Sequence, residues 1–318
     1  LSSAASDVYK RQSKKVDFTM KYLVIGGGAI GGSIAAYLTK AEKEVTLIAR
    51  GRQLEEISEY GLFVSKGRNE FNAKINTVSA EEYDDNPDVI FLCVKGYSLE
   101  STYPIIKSCA VKDTVIIPLL NGYGINEKIS KEFPDLTVLA GCIYIAASVT
   151  EPGFIHLSSD IFKIVYGFLD GNLKDQRLLE VASDLAKSGI TPVYSDNIKR
   201  DTFKKFTMVS PMAAVGTYCN VTALAFKHAS QARDMYIKCV EELVNLAAGM
   251  EIDIPEDIVD INLEIIKNLE NSYTSSMQKD VCAGRQSEAD SLIHEVVRLG
   301  HEYVVDVPVY EKIAEKIK

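Results

Sequence analysis

The stretch Gly26-Gly27-Gly28-Ala29-Ile30-Gly31 constrains this chain more than any other. It is a G-x-G-x-x-G turn, with Gly32 just beyond. It follows the strand-like run KYLVI and opens a helical pattern that continues through Ile34, Ala35 and Leu38. In that setting Gly26 makes the tight turn, Gly28 lets the backbone approach a pyrophosphate, and Gly31 lets helix and strand pack closely. The helix beginning at Ala29 and Ile30 points free N–H groups and a positive dipole end at the anion. Strand, turn, helix and a second strand at Val45–Ala49 follow in order within roughly 30 residues, which is the context a dinucleotide-binding unit requires. The competing reading is a glycine-rich turn that binds nothing.

The second strand ends Ile48-Ala49-Arg50. A site for NAD places Asp or Glu here to bind the ribose 2′-hydroxyl. A guanidinium instead suits a 2′-phosphate, through charge-assisted and paired hydrogen bonds. Arg50 therefore favours NADP(H), against the alternative of a solvated arginine. Two further candidates follow expected strand ends, where the ligand crevice of an open parallel sheet lies. Lys95 follows DVIFLCV and is placed to meet phosphate or a substrate carboxylate. Asn121 follows VIIPLL and is placed to bond the nicotinamide ribose or the substrate. A solvent-exposed lysine and a turn-forming Asn-Gly are the plain alternatives.

The rest of the first half keeps the strand–helix rhythm. Helices are expected at Ala29–Lys40, Gln53–Tyr60, Leu99–Ala110 and Ile125–Glu132. Strands are expected at Gly61–Ser65, Phe71–Val78, Asp88–Val94 and Thr114–Leu119. This points to a parallel sheet with helices on both sides. Val138–Val149 and Gly153–Tyr166 read as longer strands joined by a Glu-Pro-Gly turn, followed by a helix at Gln176–Ser188 and a strand at Ile190–Tyr194. After Asp196, a candidate N-cap, strand signals almost vanish. Asn197–Gly216, Ala229–Gly249, Glu256–Leu269, Ser287–His301 and Val309–Lys318 all read as helices. The boundary between the two units is placed near residue 195, and a cleft between them is a natural small-molecule site.

Residue types alone say less about the helical half. Lys204 and Lys205, between Phe203 and Phe206, are either snorkelling surface lysines or the source of a proton donor in the cleft. The hydroxyls of Tyr273-Thr274-Ser275-Ser276 read as helix-capping groups, with Asp280 completing the cap, or as ligands of a carboxylate, and Glu288 reads as a first-turn helix carboxylate. The bland reading is preferred for all three on this basis.

Composition removes other classes. The net charge is -9, which argues against nucleic acid or an anionic membrane as the main partner. No apolar run approaches the roughly 20 residues of a membrane span. The six cysteines are scattered without metal-like spacing, so free thiols in a reducing cytosol are expected, and no metal site is assigned. His294 and His301 lack a third ligand. Residues 1–19 carry no secretory apolar region and look foreign to the fold, with Met20 the expected natural start.

From Met20 onward the chain resembles the ketopantoate reductase (2-dehydropantoate 2-reductase) family. The shared landmarks run in order: GGGAIGG at 26–32, Arg50, VKGYS at 94–98, NGYG at 121–124, FKKF at 203–206, SSMQKD at 275–280, and Glu288. The resemblance implies an α/β Rossmann-type N-terminal domain (20–195) and a C-terminal all-α domain (196–318). NADPH and a 2-keto acid would meet between them, and 2-dehydropantoate would be reduced to pantoate on the route to pantothenate and coenzyme A. It assigns Lys205 as general acid, Glu288 as the group that holds substrate and Lys205, Ser276 as ligand of the substrate carboxylate, Asn121 as positioner of cofactor and substrate, and Lys95 to the cofactor site. The physical logic is that hydride addition builds negative charge on the ketone oxygen, which an ammonium stabilises and protonates.

The chain departs from the family at Val209 and Ala213, where many members carry asparagine, and in VTALAF at 221–226. Ser210 or Thr217 is the candidate replacement contact. Lost polar partners relax discrimination, so reduction of a different 2-keto acid is the second reading. A non-catalytic NADP(H)-sensing protein is the third; Lys205, Ser276 and Glu288 together speak against it. A homodimer through the helical domain is left open.

Overall fold

A computed structural model describes residues 19–317. All but Thr19 of the 1–19 segment discussed above lies outside the described residues. The first half runs β1 (Lys21–Ile25), α1 (Ala29–Lys40), β2 (Glu44–Ile48), α2 (Gly51–Tyr60), β3 (Leu62–Lys66), β4 (Asn69–Ala73), β5 (Asn76–Val78), β6 (Val89–Leu92), α3 (Tyr103–Cys109), β7 (Val115–Pro118), α4 (Ile125–Glu132), β8 (Thr137–Val138), β9 (Ala140–Glu151), β10 (Phe154–Gly167), α5 (Gln176–Lys187) and β11 (Thr191–Tyr194).

Six strands form a parallel sheet in the order β5-β2-β1-β6-β7-β8. The order reverses beside β1, and ligands of such sheets sit at the carboxyl ends of the strands at that reversal. The central strands are apolar on both faces because both are covered. Leu23, Ile90 and Ile116 pack with Ile106, Ile129 and Phe133 on one side. Val24, Phe91 and Ile117 pack on the other with Ile34, Leu38, Ile155 and Ile164. That second layer is α1 together with a smaller sheet. In it β9 and β10 form a long antiparallel hairpin, β3 and β11 lie parallel to β10 along its other edge, and β4 returns along β3.

Two expectations need correction here. The single strand expected at Phe71–Val78 is two strands in different sheets: β4 pairs with β3 and β5 with β2. Ala73, Ile75 and Thr77 are all buried, so the period-2 alternation passes through the corner unbroken and hides it. The helix expected from Leu99 begins at Tyr103, after two short 3-10 turns at Gly96–Ser98 and Glu100–Thr102. Pro104 sits in its first turn, where a missing N–H costs nothing.

The second half is helical: α6 (Ile198–Cys219), α7 (Leu224–Lys227), α8 (Gln231–Gly249), α9 (Ile258–Lys267), α10 (Ser276–Cys282), α11 (Glu295–Tyr303) and α12 (Pro308–Ala314). Its own core includes Met212, Phe226, Tyr236, Leu243, Ile266, Ile293 and Tyr310. The α6 cap is Asn197 rather than Asp196; its Oδ1 accepts the Arg200 N–H at 3.2 Å. Pro211 lies inside α6 and supplies no N–H for the carbonyl of Thr207. The fully buried Asn262 of α9 donates to that carbonyl instead, at 3.1 Å. The expected helix at Ser287–His301 opens with a wider π turn at Asp290–His294 before α11. Among the described residues no helix is long and apolar enough to cross a membrane.

Candidate functional site

The glycine turn lies at the reversal point of the parallel sheet. Gly26 has φ +118°, and a Cβ there would stand 2.8 Å from the Cys93 carbonyl oxygen at the end of β6. A Cβ on Gly31 would stand 2.1 Å from the Gly26 carbonyl oxygen, so helix and turn touch only because Gly31 is glycine. A Cβ on Gly28, by contrast, would meet nothing within 4 Å. Gly28 is the N-cap of α1 and brings no side-chain cap to its first turn, so N–H groups of Ala29, Ile30 and Gly31 remain for an outside acceptor. Open space over Gly28, uncapped donors and a helix dipole fit the pyrophosphate of a dinucleotide. Arg50 is exposed at the end of β2 and is the N-cap of α2. Gln53, which sequence reading did not single out, bonds the carbonyl of Gly27.

Loops after β6 and β7 meet α6 and the π turn. Tyr123 packs edge-on against Phe203, with ring centroids 5.0 Å apart, and also contacts Phe206. Phe203 and Phe206, three apart, share the buried face of α6. Lys205 is left to line a recess with Asn121, Gly141, Cys142, Thr202, Phe206 and Val209. Its Nζ donates to Asn121 Oδ1 at 3.1 Å. Burial drives the Lys205 ammonium below the usual lysine range, while Cys142 and Glu288 work the other way. Of the two lysines in FKKF, Lys205 is the one in the recess.

Glu288 is buried, with 1% of its side chain exposed, and accepts from Lys95 Nζ at 2.7 Å. Its direct partner is therefore Lys95 and not Lys205, which it influences through its charge. Asp280 stands 3.6 Å from the same ammonium. Burial works against the Lys95 ammonium, yet Glu288 and Asp280 raise its pKa above the ordinary lysine value. Lys95 comes from the loop after β6 and Glu288 from the helical half, so this pair spans the two halves. Ser291 belongs to the same junction: Cβ atoms on Gly96 and Gly122 would lie 3.3 and 3.2 Å from its side chain. Ser291 also bonds the Glu288 carbonyl. Its position three residues after Glu288 on a helical pattern was the available signal.

Other expected contacts are placed elsewhere. Ser210 is fully buried in the helical core, bonded to the Leu292 carbonyl and to the Tyr310 hydroxyl, each at 2.6 Å. It does not line the Lys205 recess, and its full burial keeps it from substrate. The hydroxyl of Thr217 is buried without a partner among the described residues. Ser276 is exposed at the start of α10 and does not line the Lys205 recess. The cap of that helix is Ser275, which accepts the Gln278 N–H at 3.1 Å. Asp280 takes no part in the cap and pairs with Arg285 at 2.8 Å. Of the two positions where many family members carry asparagine, Val209 lines the recess, whereas Ala213 is fully buried within the helical core.

Comparison with known proteins agrees over both halves. The family described as Ketopantoate reductase PanE/ApbA matches residues 22–171, and the Ketopantoate reductase PanE/ApbA C terminal family matches residues 197–318. The chain is 24% identical over 304 residues to the 2-dehydropantoate 2-reductase of Aquifex aeolicus (strain VF5), covering 94% of this chain and 96% of that protein. The solved structure of 2-dehydropantoate 2-reductase from Porphyromonas gingivalis W83 is similar with a TM-score of 0.79 at 27% identity, over 93% of this chain and 98% of that one. The ternary structure of D-mandelate dehydrogenase with NADH and anilino(oxo)acetate is similar with a TM-score of 0.86 at 27% identity, over 93% and 96%.

Proposed function

The chain belongs to the ketopantoate reductase family, and from that premise we propose that it reduces 2-dehydropantoate to pantoate with NADPH, using Lys205 as general acid. It is an oxidoreductase acting on a CH–OH/C=O group, and its cofactor is a nicotinamide dinucleotide. The observation that carries the proposal is the ammonium of Lys205, held by Asn121 in a recess past the end of β7 and lowered below the usual lysine range by burial. A donor with a depressed pKa gives up its proton more readily as charge develops on a carbonyl oxygen.

The cofactor, when bound, supplies the hydride. The chain's residues then divide the remaining work between residues 20–195 and 196–318. Gly26, Gly28, Ala29, Ile30 and Gly31 offer backbone to the pyrophosphate. Arg50 offers its guanidinium to a 2′-phosphate, which is the reason for reading NADPH although a similar dehydrogenase is solved with NADH. Asn121 orients the Lys205 ammonium toward the carbonyl oxygen. Glu288 keeps negative charge near Lys205 and fixes Lys95 at the cofactor side of the cleft. Ser276 receives the substrate carboxylate as the halves approach.

Val209 favours a second reading. It places an apolar group on the recess wall, one turn beyond Lys205, where many family members carry asparagine. A 2-keto acid with an apolar side chain would lose nothing there, and a similar protein is solved with anilino(oxo)acetate. Both readings keep the cradle and Lys205. NADPH oxidation by the purified protein, with 2-dehydropantoate beside apolar 2-keto acids, separates them. The expected result is the highest kcat/KM on 2-dehydropantoate. Turnover confined to the apolar acids would move the substrate to the second reading, and no turnover of any of them would remove the reductase proposal.

A further inference from the structure

Gln53 spends both ends of its side-chain amide on backbone from two distant segments. Its Nε2 donates to the Gly27 carbonyl at 2.8 Å, and its Oε1 accepts the Gly153 N–H at 3.1 Å. Gly153 forms the turn of the β9–β10 hairpin with φ +79°, and its carbonyl accepts the Phe63 N–H of β3 at 2.9 Å. The hairpin turn is thereby seated on α2, close enough that a Cβ on Gly153 would stand 3.2 Å from Glu56 Cβ. Gln53 itself lies three residues after Arg50, the N-cap of the same helix.

We propose that Gln53 is a positioning residue for the dinucleotide: it aims the glycine turn and locks it to the helix that carries Arg50. This rests on the cofactor reading given above. The described peptide bonds are all trans, and in a trans unit the C=O and the following N–H point in opposite directions. Holding the Gly27 carbonyl toward Gln53 therefore turns the Gly28 N–H away from α2. Gly28 is where the backbone lies open, with nothing within 4 Å of a would-be Cβ. A free carbonyl at Gly27 would let that peptide plane rotate and turn an oxygen toward the phosphates. The role requires an amide. Glutamate has acceptors at both ends and no donor for Gly27, and leucine of similar size has neither.

The test uses full-length protein and Gln53→Leu and Gln53→Glu variants. NADPH affinity is followed by fluorescence titration, kcat and KM are separated by steady-state kinetics, and hydrogen exchange is measured without cofactor over residues 26–32 and 151–154. Loss of one neutral hydrogen bond predicts NADPH dissociation constants about 5- to 10-fold higher for Gln53→Leu, and higher again for Gln53→Glu, whose charge faces the phosphates. The rise is expected in KM for NADPH, with kcat retained at saturating cofactor, and exchange should quicken in both segments. Unchanged NADPH affinity in both variants overturns the proposal, as does a lowered melting temperature and kcat with affinity intact. Failure of the wild-type protein to bind NADPH would sink the cofactor reading. The exchange data would still report whether Gln53 ties the two segments.

Discussion

The glycine turn and the recess around Lys205 are made differently. The turn comes from one unbroken stretch, residues 26–31, and offers backbone. The recess joins Asn121 to Lys205 across 84 residues of sequence and works through side chains. A backbone cradle is indifferent to most chemistry and intolerant of a single Cβ, as the 2.1 Å approach at Gly31 shows. A recess built of side chains reverses that: its shape survives substitution, and its chemistry does not. On the proposed function, the first region would fix what kind of cofactor binds, and the second would decide which reaction follows.

The largest effect that would sharpen this contrast is expected at Lys205. Lys205→Ala should lower kcat by about 10²- to 10⁴-fold, the usual span for a lost general acid, while NADPH binding measured by fluorescence is kept. Unchanged turnover would mean that the recess carries no proton donor, and the comparison would fail at its centre. Next in size is Arg50→Asp. The loss of charge-assisted bonds should raise KM for NADPH by roughly 10- to 100-fold, with KM for NADH little altered. Equal changes for both cofactors would remove the basis for the 2′-phosphate reading.

The smallest effect is a shift in a pH profile. Lys205 must be protonated to donate, so reduction is lost as pH rises through its pKa, which burial has lowered. Glu288 opposes that lowering. Glu288→Gln should therefore move the basic limb of kcat to lower pH. A limb that stays in place, or moves upward, would show that the two regions are not coupled through this carboxylate.

The sequence was most legible where local rules act alone. The bounds of α1 and α4 follow from helical spacing between glycine signals, and the β1–turn–α1 unit from its motif. It was least legible where distant segments meet. The β4–β5 corner keeps its inward alternation while changing sheets, so nothing local marks it. Ser210 looked available because a hydroxyl close to Lys205 in sequence is chemically suitable; the face it occupies is decided by Leu292 and Tyr310. Glu288 was found by resemblance, but its bond to Lys95 depends on two halves of the molecule touching. Gln53 carried no signal at all, since a glutamine in a first helical turn is unremarkable until the Gly27 and Gly153 backbones arrive at its two ends.

The proline inside α6 has a consequence for how this chain is able to drift over generations. Thr207 relies on Asn262 only because Pro211 brings no N–H. Exchange of Pro211 for alanine would return the helical donor at no loss to Asn262, because a carbonyl has two lone pairs and Asn262 also donates to the Thr207 hydroxyl. Exchange of Asn262 alone would strand a buried carbonyl. The two positions therefore have an order: Pro211 is free to change first and Asn262 only after it, so descendants of this sequence that lack Asn262 are expected to lack Pro211 as well.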